Sequence, residues 1–184
     1  MGVEIEAKFR LPDPEKIQQA LRAAGATPVE DLLELNAYFD TPDAALRRRG
    51  CGLRVRTERR PDGHARTVMT CKGPRRAGEL KIRQEDELTV DSPAAAEAFL
   101  AGLGYRRTVS FQKRRRNYRL GQAVISLDEL PELGRFLEIE APDEQTVQRV
   151  RRQLGLADEP SITTPYAAMV AQHLADGGGE ELAF

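Results

Sequence analysis

Apolar and charged positions alternate along much of this chain with the two-residue period of a β-strand. The opening segment, residues 3–9, places Val3 and Ile5 on one face and Glu4 and Glu6 on the other. Five further segments repeat this alternation: LRVR at 53–56, MTCK at 69–72, IRQEDE at 82–87, ISLD at 125–128 and LEIE at 137–140. In a seventh segment, KRRRN at 113–117, Lys113, Arg115 and Asn117 share one face. The pattern predicts several strands, each with one apolar and one charged face.

Helix signals interrupt the strand pattern at four places. Asp13, Ser92 and Asp143 are predicted N-caps, and a proline follows the first two at the first helical position. A fourth helix is predicted after Pro165, and a turn signal at residues 61–63 marks a β-hairpin. This mixture of strands and helices predicts an α+β fold.

Length and composition limit the class of protein. The 184 residues are expected to form one domain over 1–176, followed by a flexible tail over 177–184. The 28 Lys and Arg residues balance 29 Asp and Glu residues, which argues against a nucleic-acid or membrane-surface binder. The arginine runs at 47–49 and 114–116 could suggest nucleic-acid binding, but such runs are more often solvated, and Arg114 and Arg116 have the strand parity opposite to that of Lys113 and Arg115. Two cysteines without a secretory leader indicate a cytoplasmic protein, and no apolar run approaches the ~20 residues of a membrane span.

The charged strand faces allow two arrangements. In an open sheet they would lie in water, whereas in a closed antiparallel barrel they would line a tunnel beneath outward-facing apolar positions and amphipathic helices. Strong enrichment of charge over seven strands favours the barrel. The tunnel would hold seven cations and seven anions: Lys8, Arg54, Arg56, Lys72, Arg83, Lys113 and Arg115, against Glu4, Glu6, Glu85, Glu87, Asp128, Glu138 and Glu140.

So many enclosed charges indicate a highly charged ligand, because they are costly to desolvate without partners. Arg and Lys clusters favour phosphate oxygens, and carboxylate clusters favour hard cations such as Mg²⁺ or Mn²⁺. Together they predict a metal-bound polyphosphate. The sequence has neither a GxxxxGK[ST] P-loop nor a GxGxxG motif, so side chains would hold the phosphates.

The segment EIEAKF at residues 4–9 carries the Glu-x-Glu-x-Lys signature of the CYTH domain family, also called triphosphate tunnel metalloenzymes. The motifs YFDTP, LRVR, TCKGP, RQEDE, KRRRNY, SLDELPELGRFLEIE and a late PY follow in the family's order. The chain therefore resembles this family over about residues 2–173. The resemblance implies a closed eight-stranded antiparallel tunnel, with helices outside, that binds triphosphate compounds with Mg²⁺ or Mn²⁺.

The resemblance also implies roles for individual residues. Metal ligands would be Glu4, Glu6, Glu138 and Glu140, with Asp128 or Glu87 assisting a second metal. The triphosphate clamp would comprise Lys8, Arg54, Arg56, Lys72, Arg83, Lys113 and Arg115. Lys113 and Tyr38 match a Lys–Tyr pair that assists catalysis in some members, and Lys8 is the third residue assigned a catalytic role.

Three functions remain open at this point. A metal-dependent triphosphatase would hydrolyse inorganic triphosphate, thiamine triphosphate or a nucleoside triphosphate. A class IV adenylate cyclase would use the same clamp while the ribose 3′-hydroxyl attacks the α-phosphorus. Cyclases of the family carry additional residues before the signature, whereas only residues 1–3 precede it here, which favours hydrolysis. The third function is a non-catalytic module that binds polyphosphate or nucleotide. The expected partner is a small-molecule triphosphate, and the oligomeric state is left open.

Overall fold

A computed structural model describes residues 2–11, 13–74, 80–178 and 181–184, with the side chains of the first strand described from Ile5 onward. Within these residues the chain forms eight strands and five helices. In chain order they are β1 (Gly2–Arg10), α1 (Pro14–Ala23), β2 (Thr27–Asp40), α2 (Ala45–Arg48), β3 (Gly52–Arg59), β4 (Ala65–Lys72), β5 (Lys81–Val90), α3 (Pro93–Gly102), β6 (Arg106–Leu120), β7 (Ala123–Leu130), β8 (Gly134–Ala141), α4 (Glu144–Gln153) and α5 (Tyr166–Ala175).

The strands form one closed antiparallel barrel. Around the barrel they follow the order β1, β5, β4, β3, β2, β6, β7, β8, and pairing of β8 with β1 closes the ring. The predicted α+β fold, an eight-stranded closed barrel with helices outside, is confirmed. None of the helices in the described ranges is long and apolar enough to cross a membrane.

Three helices begin at the predicted N-caps. Oδ1 of Asp13 accepts hydrogen bonds from the backbone N–H groups of Glu15 and Lys16. Ser92 caps α3 through Ala95, and Asp143 caps α4 through Thr146 in the same way. These bonds satisfy backbone donors that lack partners in the first turn, so the sequence determines where each helix starts.

The apolar faces of the strands point outward and pack beneath the helices. Phe9 of β1 and Ile139 of β8 share one buried cluster with Ile17 and Leu21 of α1 and Val147 of α4. A second cluster joins α3 to the outer faces of β2 and β3. Each fully buried side chain of this size contributes about 1.5–3 kcal/mol. The main core therefore lies between the barrel wall and the helices, and the barrel interior is left to polar groups.

At one end of the barrel the interior is apolar rather than polar. A cluster of buried apolar side chains fills this end, which we call the closed end. Its buried members are Phe111, Leu130 and Phe136 from β6, β7 and β8, together with Tyr166, Val170 and Leu182. The three strand residues share strand parity with Lys113, Asp128 and Glu138, so they face inward. Helix α5 therefore packs into the barrel rather than against its outer wall.

The described end of the C-terminal segment also packs against the barrel. Leu182 is completely buried, and its carbonyl accepts a 2.7 Å hydrogen bond from the N–H of Gln112. The N–H of Phe184 donates to Oε1 of Gln112. Pairing of β7 with β6 extends only to Arg114, so the segment lies beside a part of β6 that β7 does not reach. This packing differs from the flexible tail expected for residues 177–184.

Candidate active site in the barrel lumen

The inward strand faces enclose a cavity of about 610 Å³, here called the lumen. Most residues predicted for the site line it: Lys8, Tyr38, Arg54, Arg56, Lys72, Arg83, Lys113, Arg115, Glu6, Glu85, Glu87, Glu138 and Glu140. Glu4 lies outside the described side chains, although its backbone is paired with Arg83. Asp128 lies against Lys113 and Arg115, and its side chain has no exposed surface. The structure thus brings the described residues together, while their individual roles stay predictions.

Several lining residues were missed in the sequence, although strand parity could have identified them. Lys81 lies two residues before Arg83 and faces the same way. Glu34 lies four residues before Tyr38, and Glu58 lies two residues after Arg56. All three newly identified side chains are charged, so the lumen carries more internal ion pairs than the predicted set suggests.

Carboxylates gather where β1 meets β8. Glu6 and Glu140 are directly paired across these strands, and Lys8 is paired with Glu138. Oε1 of Glu6 lies 2.5 Å from Nζ of Lys81, while Glu138 accepts a hydrogen bond from Arg115. Burial alone would raise the pKa of Glu138, but the charges of Arg115, Lys113 and Lys8 hold it well below its usual range. Glu138 is therefore an anion at neutral pH.

The donor chemistry of this region fits a divalent metal. Like charges opposite each other on adjacent strands repel, so a cation between Glu6 and Glu140 would be stabilising. Carboxylate oxygens are the ligands that Mg²⁺ and Mn²⁺ prefer. In the part of the chain that the structure describes, no group of three or more His, Cys, Asp or Glu side chains is close enough to hold a metal. Instead, Lys81 and Arg115 engage Glu6 and Glu138.

Two arginines of β3 carry buried donors that are not satisfied. The Nε atoms of Arg54 and Arg56 have no hydrogen-bond partner within the described residues. The outer nitrogens of both guanidinium groups are engaged: Nη2 of Arg54 donates to Thr70 at 3.1 Å, and Nη2 of Arg56 lies 2.8 Å from Glu58. On β5, Nε of Arg83 lies 3.2 Å from Oε1 of Glu85. Buried donors in proteins are almost always paired, so the two Nε groups of β3 indicate a place for acceptor oxygens from a ligand.

Glu34 stands among three of the cations. Its carboxylate lies 3.1 Å from Nζ of Lys113, 3.6 Å from Nε of Arg115 and 3.7 Å from Nη1 of Arg56. Burial opposes its charge, but Lys113, Arg115 and Arg56 outweigh burial and lower the pKa of Glu34. Neither of its oxygens accepts a hydrogen bond from another described residue. Glu34 thus supplies the internal negative charge that keeps these cations close together.

At the closed end, α5 contributes directly to the lumen. The hydroxyl of Tyr166 donates to Asp128, and Nζ of Lys8 lies 4.0 Å from the centre of the Tyr166 ring. The same ammonium donates to the carbonyl of Thr164, just before the helix. Burial lowers the pKa of Lys8 to about 8, although Glu138 opposes the shift. The charge of Lys8 therefore changes near physiological pH.

Tyr38 lines the lumen close to the closed end, where its ring stacks on Phe111 with centroids 6.1 Å apart. Burial would raise the pKa of its hydroxyl, but the nearby charges of Arg54, Lys72 and the other lysines lower it overall. The direction of this shift shows a strongly positive potential at Tyr38. An anionic ligand would experience the same potential.

Comparisons with known proteins agree with this geometry. The CYTH domain profile matches residues 2–166. The adenylate cyclase CyaB of Aeromonas hydrophila is 32% identical over 183 residues, which cover 93% of this chain and 90% of that protein. The solved structure of the PH1819 protein from Pyrococcus horikoshii OT3 has a TM-score of 0.80 at 22% identity, covering 92% of this chain and 98% of that one. The structure of HpAC1 from Hippeastrum, described with a dominant triphosphatase activity, has a TM-score of 0.70 at 20% identity and covers 95% of this chain and 96% of that one. The resemblance seen in the motifs is confirmed, and the chain belongs to the CYTH domain family.

Proposed function

We propose that this protein hydrolyses a triphosphate compound in its lumen with the help of Mg²⁺ or Mn²⁺. The substrate would be inorganic triphosphate, thiamine triphosphate or a nucleoside triphosphate. One observation carries the proposal: the buried Nε donors of Arg54 and Arg56 lack acceptors among the described residues, and both arginines line the same cavity as the carboxylates. Phosphate oxygens would satisfy these donors, and charge-assisted hydrogen bonds of this kind are the strong ones.

In the proposed reaction a water oxygen attacks the terminal phosphorus. The bond from that phosphorus to the bridging oxygen breaks, so orthophosphate leaves and a diphosphate remains. Phosphoryl transfer depends on positioning and charge stabilisation, which the arginines and Lys113 would provide. A bound divalent metal would supply further charge neutralisation and polarise phosphate oxygens. Glu6, Glu138 and Glu140 would hold it, together with Glu4 as the sequence predicts.

Lys8 is the proposed proton-transfer group. Because its pKa is about 8, a fraction of the amine is unprotonated near neutral pH, and Nζ can accept a proton from the attacking water. Lys113 would stabilise negative charge on the transferred group from a position set by Glu34 and Asp128. Tyr38 would assist as a hydroxyl donor in this positive environment.

Adenylate cyclase activity is the second candidate, because CyaB, the Aeromonas relative at 32% identity, is named for it. The same clamp would bind ATP, and the 3′-hydroxyl would attack the α-phosphorus with loss of pyrophosphate. A cyclase must also hold adenine. Of the described lining residues, only Tyr38 and Tyr166 are aromatic, and both pack with the closed-end cluster.

A direct assay separates the three candidates. The protein is incubated with Mg²⁺ or Mn²⁺ and either inorganic triphosphate, thiamine triphosphate or ATP, and orthophosphate, pyrophosphate and cyclic AMP are measured. We expect orthophosphate from at least one substrate, with activity lost in Glu138→Gln and kept in Arg149→Ala on the exposed face of α4. Cyclic AMP with equimolar pyrophosphate would instead establish the cyclase. Tight binding of triphosphate without any product would establish the binding module.

A further inference from the structure

Lys81 makes the ion pair that most directly affects the proposed metal site. It is paired with Glu6 across β1 and β5, and its Nζ lies 2.5 Å from Oε1 of Glu6. The two side chains are 13% and 6% exposed, so water screens the pair only weakly. The ammonium therefore lies on the carboxylate that the sequence predicts as a metal ligand.

Glu6 has a different neighbour on each side. On β8 it is opposite Glu140, a like charge, and on β5 it is opposite Lys81. The positive charge of Lys81 thus reduces the repulsion between Glu6 and Glu140, a role that a bound metal ion could also fill. A metal ion that binds Glu6 must compete with the ammonium for the same oxygen.

We propose that Lys81 is an internal counter-cation that occupies Glu6 while metal is absent and moves to a phosphate oxygen when metal and triphosphate bind together. This inference rests on the proposed function and describes how its two ligands are coupled. Metal alone binds weakly, because the ammonium loses its carboxylate partner. Metal with triphosphate binds strongly, because the displaced ammonium gains a phosphate partner. By linkage, metal strengthens triphosphate binding by the same factor.

Side-chain chemistry supports this role for Lys81 rather than for Arg115, which pairs with Glu138. An ammonium is a compact charge on a flexible four-carbon stem and can change partners. Arg115 instead holds Asp128 with a two-pronged fork, in which Nε and Nη2 lie 2.7 and 2.6 Å from the two carboxylate oxygens. Two directional bonds fix the guanidinium in place. Lys81 is therefore the group suited to exchange.

The test measures Mn²⁺ binding by calorimetry, with and without inorganic triphosphate, in the wild type and in Lys81→Met. We expect Lys81→Met to bind Mn²⁺ alone about tenfold more tightly or better, because one charged competitor is removed. The strengthening of Mn²⁺ binding by triphosphate should shrink by a similar factor. Lys72→Met is the matched control, since Lys72 is also a lumen lysine but is paired with Glu85.

The control separates local competition from general electrostatics. If Lys81→Met tightens Mn²⁺ binding no more than Lys72→Met does, the inference is wrong. Circular dichroism checks folding, and Lys81→Gln is measured in the same way if the methionine variant does not fold. The proposed function has its own readout, which is product formation by the wild type. If the wild type forms product and the two variants bind Mn²⁺ with equal affinity, the proposed function stands and only the role of Lys81 is overturned.

Discussion

The hydroxyl of Tyr166 donates a 2.9 Å hydrogen bond to Oδ2 of Asp128 and so joins α5 to β7 inside the closed end. The same carboxylate lies 3.2 Å from Nζ of Lys113 and is held by the fork of Arg115. Burial, together with the charge of Asp128, raises the pKa of Tyr166 well above its usual value, so the hydroxyl stays a donor. Asp128 thus connects the closing helix to two lumen cations.

Removal of this hydroxyl should loosen α5. We expect Tyr166→Phe to lower the free energy of unfolding by about 1.5–3 kcal/mol, the contribution of a buried hydrogen bond to a charged acceptor. Urea denaturation measures the change. Tyr105→Phe is the control, because the Tyr105 side chain is half-buried beside α3 and away from the closed end. Equal stability of the two variants would show that the bond to Asp128 does not hold the helix.

Arg56 provides a test of the phosphate clamp. Its buried Nε lacks an acceptor in the described structure, and a phosphate oxygen would supply one. We expect Arg56→Ala to weaken binding of inorganic triphosphate by about 1.5–3 kcal/mol, measured by calorimetry. Arg149→Ala should bind normally, since Arg149 is exposed on α4. Unchanged affinity in Arg56→Ala would remove this arginine from the clamp.

Glu6 provides a test of the metal site. Glu6→Gln keeps the shape of the side chain but removes its charge, so metal-dependent turnover should be lost while the circular dichroism spectrum and cooperative unfolding are retained. Glu97→Gln is the control, because Glu97 of α3 pairs with Arg107 of β6 at the protein surface, away from the lumen. A Glu6→Gln enzyme with normal metal-dependent activity would contradict the assignment of Glu6 as a ligand.

The pKa of Lys8 predicts a pH dependence of binding. The ammonium is charged below about pH 8 and neutral above it, so affinity for inorganic triphosphate should fall as the pH rises through 8. Lys8→Met should be weaker at pH 7 and should lack the part of this decline that comes from Lys8. Calorimetry at constant ionic strength from pH 7 to pH 9 measures both proteins, and parallel curves would contradict the prediction.

The same shift has the opposite consequence for stability. The pKa of Lys8 is lower in the folded protein than the ordinary value of 10.5, so the unfolded chain binds more protons between about pH 8 and pH 10.5. The contribution of Lys8 to the free energy of unfolding therefore increases with pH over this interval. Binding and stability should change in opposite directions, which a general loss of structure would not produce.

Leu182 tests the packing of the C-terminal segment. Its side chain is completely buried in the closed-end cluster, so Leu182→Ala should lower the free energy of unfolding by about 2–5 kcal/mol. Leu103→Ala is the control, because Leu103, which directly follows α3, is 60% exposed, and it should change stability little. A similar small effect at both positions would indicate that residues 181–184 do not pack as described.

Strand parity was the most informative property of the sequence. Alternation in residues 5–9 and 137–140 correctly predicted which faces meet helices and which meet the lumen. Asp13, Ser92 and Asp143 correctly marked three helix starts, because capping is a local interaction. The barrel fold and the family could therefore be predicted from local sequence patterns and the order of the motifs, without knowledge of long-range contacts.

Long-range partners could not be obtained in this way. Parity places Lys81 in the lumen, but only the register of β1 against β5 brings it to Glu6. Likewise, the position of Leu182 depends on the space left where β7 ends beside β6. The sequence of residues 177–184 suggests mobility because it is rich in glycine, and it contains no local signal for a docking site about 70 residues earlier in the chain.

Helix α5 gives the lumen an inner wall. If the protein hydrolyses a triphosphate as proposed, both products would have to leave on the side of the lumen away from Tyr166, because the closed-end cluster occupies the other side. A product still bound nearer that exit would delay release of the product behind it. The closed end therefore predicts inhibition by added product, which initial-rate measurements would detect.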